Sequence, residues 1–298
     1  MYNRALKSTK ANGWGFKRFG TSKDRYAGEM IRTPQYTQYI DAMELASEQA
    51  LHQLSSKERM RLMKSRTAFI YADAWGESSL FENITSALHK ATIDTLPKNL
   101  VKKFSVKDFT GKVRGERQSL VQAMQLAQDY LNFNVFDFVV ICAAYRAVPL
   151  LVFTEQDTFD KKRWQRTPPN ININFTVERV GCFIFSQHEG EFKVSSGQYA
   201  LHNEKEIFNG IAFEEDDDLT IQCVTEVRRE SIGQGKLIQR NNSIRSINLT
   251  NIYGGSGPVT PALSWTYLQQ HGRAQEKMRT IVPDNFGGYT YFDTWYQN

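Results

Sequence analysis

The chain reads as an α/β protein built from two related halves, on three observations. A helix pattern over 34–54 leads into a short apolar strand at Thr67–Tyr71. A second helix pattern over 117–131 runs directly into Phe136–Ala144, a nearly continuous apolar run of the kind found where both faces of a strand are covered. Beyond a charged, proline-containing stretch at 154–171, the rhythm of strand and helix resumes.

In chain order, residues 1–33 are polar and basic, dotted with Trp14, Phe16, Phe19 and Tyr26 without a sustained period, and are expected to form an irregular arm packed on the body. From Pro34 to Leu54 the apolar residues Tyr36, Tyr39, Ile40, Met43, Leu45, Ala46, Ala50, Leu51 and Leu54 recur at threes and fours. Thr33 is the expected N-cap and Pro34 the first helical residue. Lys57, Arg59, Arg61, Lys64 and Arg66 lie between this helix and the strand at Thr67 and read as a solvated loop. A further helix is expected over Ser79–Thr92. The helix at 117–131 places Leu120, Met124, Ala127 and Leu131 on one face. Strands are expected at Phe175–Ser186, Phe192–Val194 and Leu219–Val227, and the glycines Gly254, Gly255 and Gly257 precede a helix-like PALSWTYLQQ. The acidic run Glu214–Asp218 reads as a solvated turn. Three segments follow: an arm at 1–33, a first half at 34–153 and a second at 154–298.

With 298 residues, 41% hydrophobic and 23% charged, the chain can bury a large core. Its longest apolar stretch, broken by Arg146 and Pro149, falls well short of the roughly 20 residues of a membrane span. No apolar block follows the basic N-terminus as in a secretory signal, so a cytoplasmic location is expected. Cys142, Cys182 and Cys223 are too widely spaced for a disulfide framework or a zinc site, and no cofactor or metal is expected. The net charge of +5 is partly clustered, at 4–25 and at 57–66, which suits an acidic partner.

Five segments resemble, in order, the β-ketoacyl synthase branch of the thiolase-fold proteins. RTPQYTQYIDAMELASEQALHQLS with SRTAFIYADAWGE is similar to the first helix and strand of that family. ERQSLVQAMQLAQDYLNFNVFDFVVICAAYRA resembles its nucleophile helix and central strand, with Asp137 between them. NFTVERVGCFIFS resembles its glutamate and glycine strand, keeping Glu178 and Gly181 but with the bulkier Arg179 and Val180. NIYGGSGPVTPALSWTYL resembles its glycine-histidine segment, and PDNFGGYTYF its terminal loop with Phe286, Gly287 and Gly288. The resemblance implies a five-layer fold of two related halves, the first truncated because only the irregular arm stands where the family has its first strand.

What is missing bears on function. A condensing enzyme needs a thiolate at a helix N-terminus, where the helix dipole lowers the thiol pKa and backbone N–H groups receive an oxyanion, and histidines to polarise the carbonyl. The family spacing puts the nucleophile twenty positions before Asp137, at Arg117, or with a slip of one at Gln118. No histidine lies between His202 and His271, the interval where both family histidines belong; Gly255 and Thr250 stand at the histidine and lysine positions. Cys142 sits inside an apolar run, where burial raises a thiol pKa and blocks access.

The resemblance therefore implies a non-catalytic subunit of chain-length-factor type, partnering a ketosynthase or a second copy and shaping an acyl tunnel near Glu178 and Phe286. An acyl carrier protein would dock at Lys57, Arg59, Arg61, Lys64 and Arg66. The alternative is a divergent acyltransferase with Glu116 or Asp137 as base and His188 as its partner. Nucleic-acid binding by the basic, aromatic arm fits the resemblance less well. The Gly-Gly-Ser-Gly run could cradle a phosphate, but a structural turn already accounts for it.

Overall fold

The computed structural model describes residues 6–8, 14–21, 36–73, 98–107, 109–115, 117–145, 177–187, 190–201, 219–225, 245–284 and 288–296. Two five-stranded arrays make up most of it. The first contains β2 (Trp14–Thr21), β3 (Thr67–Asp73), β4 (Phe109–Arg114), β5 (Phe138–Tyr145) and β6 (Val177–Ser186) in the order β4-β3-β5-β6-β2. β3, β4 and β5 are parallel, and β6 is antiparallel to both β5 and β2. The second contains β7 (Phe192–Ser196), β9 (Leu219–Val224), β10 (Arg245–Asn248), β11 (Lys277–Pro283) and β12 (Gly288–Tyr296) in the order β10-β9-β11-β12-β7, with the same pattern of directions. Each array therefore has its strands, numbered along its own segment, in the order 3-2-4-5-1. A short β1 (Leu6–Ser8) pairs with both β6 and β7 and joins the arrays, and β8 (Ala200–Leu201) adds to the start of β12.

Two expectations are corrected by this topology. β2 occupies the first-strand position that the irregular arm seemed to leave empty, so the first half is not truncated at that strand. The cause is local: the glycines and cations within WGFKRFGT hide a strand whose ladder to β6 supplies what its composition does not. β6 closes the first array, so the halves divide between β6 and β7 rather than at 154; the charged stretch read as a boundary connects two neighbouring strands of one sheet.

Helices fill the layers. α1 (Tyr36–Gln53) buries Ala42, Met43, Ala46 and Ala50 on one face, as its spacing requires. With α2 (Ser56–Lys64) and α3 (Lys98–Lys103) it supplies a cluster against Phe69, Tyr71, Val140, Cys142 and Ile184 on the outer face of the first sheet. α4 (Ser119–Asn132) lies on the other face. There it shares one core with α5 (Leu249–Tyr253), a 3-10 turn (Gly257–Ala262), α6 (Leu263–His271) and the second sheet. At its heart Trp265 meets Phe183, Phe185 and Phe292, and its indole N–H donates to Thr294 Oγ1 at 3.1 Å. β5, buried along nearly its whole length, is thus covered on both faces. The described residues supply four layers; the expected helix at Ser79–Thr92, the helix start at Thr33–Pro34 and the acidic run at 214–218 lie outside them.

The basic segment after α1 is a helix and not the expected loop. Ser55 and Glu58 form a reciprocal cap, Ser55 N donating to Glu58 Oε2 at 2.9 Å and Glu58 N to Ser55 Oγ at 3.3 Å. Among the described residues no helix is long and apolar enough to cross a membrane.

Candidate functional site

In both arrays the carboxyl ends of the parallel strands point to the same region between the halves, the place where open α/β sheets gather their chemistry. α4 starts there, immediately after β4. Its N-cap is Gln118 (φ −92°, ψ −8°), without a side-chain cap, and no acid stands in its first turn. Gln118 is 8% exposed, and its Nε2 donates to the carbonyl of Val282 near the end of β11 at 3.4 Å. Arg117 precedes it, half-buried. The helix dipole is in place to stabilise a thiolate, but a guanidinium and a carboxamide occupy the position.

The facing wall is the turn after α5. Gly254 and Gly257 adopt φ of 78° and 49°, and Gly254 N donates to Thr250 O at 2.9 Å. Glycine is required at 257 twice over, since a Cβ there would also come within 2.4 Å of the Tyr145 ring at the end of β5. Thr250 and Gly255 are both buried in this wall. Arg179 reaches across from β6: one guanidinium nitrogen donates to Ser256 Oγ at 2.8 Å and another to the carbonyl of Tyr253 at 3.1 Å. Burial raises the Tyr253 phenol pKa, and the Arg179 charge pulls against it. Thr225, just past β9, donates from N and Oγ1 to Ile281 O.

The other groups that could carry chemistry stand elsewhere. Cys142 and Cys182 face each other in the β5–β6 register, deep in the first sheet; burial, reinforced by Cys142, pushes the Cys182 thiol well above its ordinary value. Cys223 is buried in β9 against Met278, and its thiol is likewise raised by burial. His271 is exposed and stacked on Tyr267, and His52 is exposed on α1. His89, His188, His202, Glu116, Phe286 and Gly287 lie outside the described residues.

Asp137 is at the start of β5, beyond the far end of α4, roughly 21 Å of helix away from Gln118. There it binds Arg66, whose NH2 and backbone N each approach a carboxylate oxygen at 3.1 Å, and these bonds hold its carboxyl below the usual range. It cannot serve as a base at the start of α4. Lys57, Arg59, Arg61 and Lys64 lie on α2, which leads to Arg66 at this end of the sheet. Arg59 donates to Leu51 O at 3.0 Å.

Glu178 is the neighbour of Arg179 on β6, opposite Gly20 in the ladder. Gly288 opens β12 and donates to Asp284 Oδ1 at 2.7 Å, while the Tyr199 hydroxyl donates to the same carboxylate. That bond raises the Tyr199 phenol pKa. Among the described residues no group of His, Cys, Asp and Glu could hold a metal. Sequence reasoning did not assign roles to Tyr145, Tyr253 and Val282. Arg179 was visible only as excess bulk on a strand where small residues are usual.

No protein-family model matches the chain, and no curated protein matches it. Solved structures do. Cerulenin-bound OleA of Xanthomonas campestris superposes with a TM-score of 0.61 at 11% identity, covering 99% of this chain and 98% of that one. A variant of the same OleA gives 0.59 at 9% identity, covering 99% and 100%. The fold is thiolase-like. ChlB3, an acyltransferase, gives 0.58 at 12% identity over 99% of this chain and 98% of its own. Among the described residues, neither thiol nor imidazole stands at the head of α4 itself.

Proposed function

We propose that this chain is a non-catalytic thiolase-fold subunit that pairs with an active condensing enzyme and shapes the space available to its acyl chain. The observation carrying this reading is Gln118 at the head of α4, bonded to Val282 O with Arg117 beside it. Neither side chain forms a thioester, and Arg179 and Tyr145 occupy the opposite wall. The partner surface in this reading is the edge of β4, the last described strand of the first sheet. Phe109, Tyr130 and Phe136 form a ring cluster behind it, with centroids 5.3–5.9 Å apart. Co-expression with a ketosynthase encoded beside it is expected to yield a one-to-one complex, and bulky substitution at Gln118 to shift product length. Isolation only as a monomer indifferent to the ketosynthase contradicts the proposal.

The likeness to ChlB3 favours a second reading, an acyltransferase with unfamiliar groups. Under that reading, incubation with acyl thioesters leaves an acyl group on the protein or moves it to an acceptor, and one substitution abolishes the transfer.

A further inference from the structure

We draw no further inference here: the strongest candidate, the side-chain cluster of Lys193, Lys277, Arg279 and Asp293 around Trp295 on β7, β11 and β12, is engaged in its own ion pairs and ring contacts, and nothing in the structure shows what covers it.

Discussion

Arg179 ties the first half to the second through two charge-assisted bonds, to Ser256 Oγ and to the Tyr253 carbonyl. Arg179→Met keeps the apolar stem and removes both, and is expected to cost about 1–3 kcal/mol in urea unfolding. Ser256→Ala should add little once Arg179 is gone, since the two share one contact. Gly257→Ala is expected to cost more than the roughly 1 kcal/mol of an ordinary glycine exchange, because the new methyl meets both a positive φ and the Tyr145 ring. That a helix starts next to Gln118 was legible from the apolar spacing over 117–131. The bond of Gln118 to Val282 was not, since 164 residues separate the partners and no local pattern links them.

α4 is held to the second sheet by a line of amides: Gln118 on Val282 O, Gln125 Nε2 on Gly197 O at 2.7 Å, and Gln128 Oε1 accepting from Ser196 N at 2.9 Å. Gln128→Ala strands a buried N–H on β7 and is expected to cost about 1–3 kcal/mol, read by the same unfolding experiment. At the other end, Arg66 depresses the folded pKa of Asp137. Its contribution to stability is therefore present above the unfolded value, about 3.9, and lost as pH falls through the lower folded value. The pair is exposed, so the effect is small. Asp137→Asn is expected to flatten the stability profile below about pH 4 and to leave its shape at neutral pH unchanged. Elements with clean periodicity, such as α1, α4 and β5, could be read from sequence. α2 could not, because its only buried residue is Leu62 and its start depends on a cap rather than on an apolar stripe. β11 and β12 were equally hidden. They carry Lys277, Arg279 and Asp293 inward, where Arg279 and Asp293 make two bonds of 2.7 Å, and charge in a strand interior masks the alternation.

The whole molecule is one strand order used twice, and a single core of residues from both arrays lies between the copies. Since that core belongs to neither half alone, unfolding followed by tryptophan fluorescence and by circular dichroism is expected to give one coincident transition. Two separate transitions would mean that the halves are independent domains. The repeat itself was legible only as a rhythm, because the first half takes its closing strand β6 from beyond a long connection, and that connection passes for a boundary. The central claim of the proposal is that the head of α4, where Arg117 and Gln118 stand, forms no bond to an acyl group. Its most direct test is the intact mass of the purified protein after incubation with a long-chain acyl thioester. The expected result is an unchanged mass at every time point, with the thioester intact. A stoichiometric acyl adduct that vanishes on replacement of one residue would contradict the account.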